Sequence, residues 1–129
     1  MPNSIKPVNL NCSEHGEFFA YSNSNLEYIG GSAFESSTVK KVIFNDGVTV
    51  KEVGKAAFYR CQKLNEFDFT RIIDKIQPNA FGYCKELSVV ETSDTLTLIG
   101  FEAFSSAILD TVHLNSKKLW YNICMEKIK

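Results

Sequence analysis

The four cysteines and two histidines are the residues best suited to nucleophilic or metal chemistry in this 129-residue chain. Cys12-Ser13-Glu14-His15 has the C-x-x-H spacing of half a zinc site. Zinc takes about four protein ligands in a structural site, and no second pair stands at a suitable distance. This stretch therefore reads as an ordinary capping segment, and no metal is expected. His113 could in principle activate a thiol as a nucleophile, provided the fold brought it to Cys61 or Cys84. A Gly-rich phosphate loop, a G-x-S-x-G elbow and a helix-spaced carboxylate pair are all missing. No cofactor is expected. Asn11-Cys12-Ser13 fits a glycosylation sequon that is common by chance.

Whether His113 can meet a thiol depends on the elements that carry them, and these repeat. Ala-Phe occurs at 33–34, 57–58, 80–81 and 103–104, so the phenylalanines are 24, 23 and 23 residues apart. Ile29, Val53, Ile76 and Ile99 lie a few residues before each pair, and Gly30, Gly54 and Gly100 follow three of them. Leu26, Val50, Ile73 and Leu96 form another apolar position three residues earlier. Small residues follow each Phe by three: Ser37, Cys61, Cys84 and Ala107. Then comes an apolar triplet: Val39/Val42/Phe44, Leu64/Phe67/Phe69, Leu87/Val90/Thr92 and Leu109/Val112/Leu114.

The second and third members of each triplet alternate with a period of two, so they read as a short strand. A period near 23 is too short for a helix–turn–helix unit and falls in the leucine-rich-repeat range. A single coil of this size cannot bury its own apolar side, so coils stack and share a core, with strands in a parallel ladder about 4.8 Å apart. Ala-Phe is expected on a short helical turn with Phe inward, giving a stacked aromatic spine of Phe34, Phe58, Phe81 and Phe104. Cys61 and Cys84 then occupy one inward position in adjacent coils. They read as buried thiols packing as small hydrophobes, although neighbouring coils are close enough for a disulfide. His113 falls on the outward side of a strand, away from both thiols, so catalysis is not expected.

The repeats resemble the BspA-like leucine-rich-repeat family, whose pattern is I-G-x-x-A-F-x-x-C-x-x-L. Val53-Gly54-Lys55-Ala56-Ala57-Phe58-Tyr59-Arg60-Cys61-Gln62-Lys63-Leu64 matches almost throughout, and the coil from Ile76 to Leu87 matches with Gln77 in place of the glycine. The resemblance spans about residues 26 to 115. It implies a right-handed α/β leucine-rich-repeat solenoid, rich in β-structure, with a parallel strand ladder on one face and short strands and helical turns on the other. It also implies a non-enzymatic binding module, often in adhesion at a cell surface. The usual proline after the strand is replaced by Asn45, Thr70, Ser93 and Asn115. No apolar stretch of secretory type opens the chain, and no run approaches the roughly 20 apolar residues of a membrane helix. Membrane insertion is not expected, and the surface location rests on the resemblance.

The expected organisation is one repeat domain. Residues 1–25, with Phe18, Phe19 and Tyr21, lose the repeat phase and form an N-terminal cap or incomplete coil. Residues 26–115 form four repeats. Residues 116–129, with Leu119, Trp120, Ile123, Met125 and Ile128, form a C-terminal cap. An incompletely capped array could dimerise end to end.

The outward strand face is the candidate site. Its middle row is Ile43, Asp68, Glu91 and His113, flanked by Lys41, Glu66, Val89 and Thr111 on one side and by Asn45, Thr70, Ser93 and Asn115 on the other. The side rows are partly small and polar, and the centre is acidic, so Asp68 beside Glu91 would favour a basic or polar protein partner. A glycan is the alternative ligand. A second reading is a structural or capping piece of a longer array with no binding of its own. With 14 Lys+Arg against 15 Asp+Glu, nothing suggests a nucleic-acid partner.

Overall fold

A computed structural model describes residues 4–5, 17–20 and 26–116. The elements run β1 (Ser4–Ile5), β2 (Glu17–Ala20), β3 (Leu26–Ile29), β4 (Lys41–Phe44), β5 (Val50–Val53), β6 (Glu66–Phe67), a 3-10 turn (Phe69–Arg71), β7 (Ile72–Ile76), β8 (Val89–Glu91), β9 (Leu98–Ile99) and β10 (Thr111–His113). Among the described residues all strand pairs are parallel. The fold is a β-solenoid. Among the described residues the 3-10 turn is the only helical element, so the α/β description does not hold.

The Ala-Phe segments account for much of that difference. Residues 31–36, 55–60, 78–83 and 101–106 are runs of overlapping turns, not helix. In the first run Ala33 N–H donates to Gly30 O and Ser37 N–H to Phe34 O, at 3.1 and 3.0 Å. Glu35 N–H likewise stays within the coil, on Ser32 O at 3.2 Å, whereas the alternate amides of Ser32, Phe34 and Ser36 leave it and donate to Lys55, Ala57 and Tyr59 carbonyls at 3.0, 2.7 and 2.7 Å. A helix would keep every bond within the segment. Here alternate bonds join neighbouring coils, and two residues in each run take left-handed backbone, such as Ser32 and Ser36 at φ 59° and 60°.

Two faces carry the strands. One is a continuous five-stranded sheet in the order β1-β3-β5-β7-β9. The other, which holds the triplets, is interrupted into β2-β4-β6 and β8-β10. The longer ladder therefore lies opposite the face expected to carry it. The break follows the 3-10 turn, which swings Phe69 into the core against Phe81 and Phe104, at 4.9 and 5.5 Å between centroids. Phe69 is thus a core residue of a turn, not of a strand. In the N-terminal region Ile5 pairs with Ile29 and Phe18 with Val42, both 24 residues on. The ladder spacing therefore continues through those two strands, although the Ala-Phe signature does not. Tyr21 and the expected C-terminal cap from Lys117 onward lie outside the described residues.

The core holds one side chain per repeat position from each coil. Phe34, Phe58, Phe81 and Phe104 are buried and stack nearly parallel, 4.8, 5.1 and 5.5 Å apart. One core position is shifted. Ile73 is 36% exposed, and Ile72 is fully buried in its stead. The register between β5 and β7 slips between Val50 and Glu52. One extra residue reverses which side chain faces inward, which puts Ile72 rather than Ile73 opposite Val50.

Candidate functional site

The interrupted face brings the sequence-derived candidates together in two groups. On β4 and β6, Lys41 pairs with Glu66 in register, and their charged ends are 3.8 Å apart. Both side chains are well exposed, so this pair adds little stability. Ile43 lies half-buried beside them. On β8 and β10, Val89 pairs with Thr111 and Glu91 with His113. Val89 is 51% exposed, and Thr111, Glu91 and His113 are exposed as well.

The expected run from Asp68 to Glu91 is not formed, because β6 and β8 are not paired. Asp68 instead caps the 3-10 turn. Its Oδ1 accepts from Thr70 N–H at 3.1 Å and from the Thr70 hydroxyl. Its Oδ2 accepts from Arg71 Nε at 3.1 Å. The centre of this face is less acidic than composition suggests, since Asp68 carries its own cation.

The small polar row is also committed internally. Ser93 Oγ donates to Ile72 O at 2.8 Å, and Asn115 Nδ2 to Thr92 O at 2.7 Å. Asn45 offers its carbonyl to Arg71 Nη1 at 2.8 Å. Ser93, Asn115 and the Asn45 carbonyl thus tie coils together, while Thr70 is held within the turn by Asp68.

Arg71 was not among the sequence candidates, yet it organises this face. Besides Asp68 and Asn45 it donates to Val48 O at 3.0 Å, and its guanidinium lies 5.9 Å from the Phe44 ring centre. One planar group therefore joins two coils through a forked set of donors. Lysine offers a point charge and cannot reproduce that fork. Arg71→Ala is expected to lower stability by about 1.5–3 kcal/mol, and Arg71→Lys by more than half as much. Urea denaturation reads both, and a lysine variant as stable as wild type would contradict the clamp. Its spacing of three from Asp68 was the available sequence signal.

Val42, Ile43, Phe44, Glu66, Phe67, Asp68 and Arg71 line a hollow on this face. Its outward apolar contribution is Ile43, and its rim is charged. Cys61 and Cys84 lie elsewhere, buried and not in disulfides. Cys61 Sγ donates to Phe34 O at 2.9 Å and Cys84 Sγ to Phe58 O at 3.1 Å. Burial, and then the neighbouring Cys61, push the Cys84 thiol far above its ordinary range, despite an opposing backbone hydrogen bond. It stays protonated at neutral pH and is a poor nucleophile. His113 is exposed and both thiols are buried. Among the described residues no three His, Cys, Asp or Glu side chains converge as metal ligands. Cys12 and His15 lie outside those residues. No helix of the described residues is long and apolar enough to cross a membrane.

The stacked coils, paired parallel strands and repeated Phe position define a leucine-rich-repeat solenoid. The model of the BspA-type leucine-rich repeat region matches residues 11–124 in six copies, and the chain belongs to that family. The match extends past the 26–115 stretch on both sides. A crystal structure of a leucine-rich repeat protein from Bacteroides capillosus shares the fold, with a TM-score of 0.62 and 22% identity over 78% of each chain. A search of curated proteins found no match.

Proposed function

We propose that the chain is a non-enzymatic interaction module that binds a protein partner on the outward face of β4, β6, β8 and β10, in an adhesive role at a cell surface. The observation that carries this reading is the hollow around Ile43, with an apolar outward side chain inside a rim of Glu66, Asp68 and Arg71. An apolar anchor flanked by Lys or Arg suits it, because Glu91 is exposed and Glu66 is held only by a weak, solvent-exposed pair with Lys41, so both can meet opposite charge. The internal commitment of Ser93, Thr70 and Asn115 leaves fewer hydroxyl and amide groups for a sugar, which favours protein over glycan.

Charge reversal tests this at Glu66 and Glu91, since reversal at Asp68 would also break the Arg71 clamp. Peptides selected from a displayed random library against the wild-type chain are expected to be rich in Lys and Arg around an apolar residue. Glu66→Lys/Glu91→Lys should weaken them at least ~10-fold by calorimetry with the thermal midpoint unchanged. Unchanged affinity, or a selection without basic peptides, contradicts the reading.

A further inference from the structure

The turn column carries a second cluster that the strand face does not explain. Arg60 is exposed, and its guanidinium carbon lies 5.4 Å from the Tyr59 ring centre and 5.7 Å from that of Tyr83. The two rings meet edge to face at 5.6 Å. Gly82 makes room for this arrangement: a Cβ there would stand 2.9 Å from Tyr59 Cδ1. Arg60 and Tyr83 also hold left-handed backbone, φ 61° and 59°, where Ser36 and Ser106 stand in the outer coils. Bulky residues are disfavoured in that conformation.

An exposed guanidinium held beside two rings keeps its planar fork of N–H donors, which can take a carboxylate bidentately. Among the described residues the ion pairs are Lys41–Glu66 and Arg71–Asp68, so Arg60 has no acidic partner there. Two residues further along the chain, Gln62 lines a depression with Lys40, Lys63, Asn65 and Glu86. Two lysines and two side-chain amides there suit the carbonyls and carboxylates of an extended chain, against one opposing Glu86. Tyr and Arg are also the residues that most often dominate protein interfaces. Arg60 lies over both rings, which argues against a bare aromatic platform for a sugar.

We propose that the corner at Tyr59, Arg60 and Tyr83 is a second recognition surface, which takes an acidic segment of a protein partner with a carboxylate on the Arg60 guanidinium. It is separate from the strand face and stands or falls independently of it.

The test is a ¹H–¹⁵N NMR titration of the full chain with an acetylated hexaglutamate peptide at low ionic strength, with a hyaluronan oligosaccharide as the glycan arm. Peptide shifts should concentrate on Arg60 Nε–H and the amides of 59–63 and 82–86. Arg60→Gln should weaken binding at least ~10-fold and Arg60→Lys substantially, both with native spectra, while Lys51→Gln on the five-stranded sheet should change it less than ~2-fold. Absence of binding, shifts spread equally over Lys51 and Lys75, or equal losses in Arg60→Gln and Lys51→Gln would overturn the proposal. Tighter binding of the oligosaccharide than the peptide at the same corner would overturn it in favour of a glycan.

Discussion

Phe81→Ala is expected to destabilise the chain by about 3–5 kcal/mol, the range for truncating a large buried aromatic. Phe81 is fully buried and sits in the middle of the stack, with Phe58 at 5.1 Å and Phe104 at 5.5 Å. The edges of Phe67 and Phe69 close on it at 5.1 and 4.9 Å. Removing the ring leaves four aromatic neighbours facing a void, and backbone bonds to coils on both sides hinder its collapse. Phe81 N–H donates to Ala103 O, and Ala80 O accepts from Phe58 N–H, at 2.8 and 2.7 Å. In a stacked array that loss also weakens the contact between neighbouring units. Phe58→Ala, one coil earlier, should behave alike. Equilibrium urea unfolding measures both, and a loss under ~1 kcal/mol would refute the aromatic spine.

Gly54→Ala should cost roughly 1–3 kcal/mol, the usual cost of overpacking. Its φ is not the reason, since Gly47 is the glycine with positive φ. The reason is approach: a Cβ on Gly54 would lie 2.6 Å from Gly31 N and 2.9 Å from Ile29 O. These are backbone atoms of the preceding coil and cannot rotate aside. Gly100 makes the same approach, with Pro78 N at 2.5 Å. The third coil supplies a control. Gln77 stands in the glycine's place, its amide 3.1 Å from Glu52 Oε1, so that bend already admits a Cβ. Gln77→Ala should cost about 1 kcal/mol or less. Thermal unfolding of the two variants side by side separates them; a Gly54→Ala variant no less stable than Gln77→Ala would contradict the close approach.

The parts of the fold that were legible in the sequence are those each coil repeats. Phe34, Phe58, Phe81 and Phe104 share a spacing because they share a place, and their period alone implied a stack. The inward thiols and the outward His113 followed from the same phase. Local conformation was less legible. Among the described residues, the eight non-glycine ones with left-handed backbone are Ser32, Ser36, Ala56, Arg60, Asn79, Tyr83, Glu102 and Ser106. Only Asn79 is of a type that favours it, so composition pointed to a helical turn. The turns persist because their alternate amides bond to the next coil, a gain that no single coil displays. The β7 slip was hidden for a related reason: Ile72 and Ile73 are chemically alike, and only pairing with β5 decides which enters the core.

The candidate face was legible as an outward surface but not as a set of partnerships. Asp68 was visible as a charge, while its capture by Thr70 and Arg71 required the 3-10 turn that Phe69 makes by entering the core. Phe18 and Phe19 were expected in a cap or incomplete coil, but the 24-residue phase of that region was hidden because Leu10, 24 residues before Phe34, stands where the phenylalanine would be. The Tyr59, Arg60 and Tyr83 cluster joins residues 23 or 24 apart, which only stacking brings side by side.

The most direct measurement is hydrogen–deuterium exchange of the wild-type chain with and without a basic peptide obtained by selection. Binding to the interrupted face should slow exchange at residues 41–45, 66–71 and 89–91, and leave 50–53 and 72–76 on the five-stranded sheet unchanged. Protection confined to the five-stranded sheet, or none at 41–45 and 66–71 under saturating peptide, would contradict the assignment of that face as the binding surface.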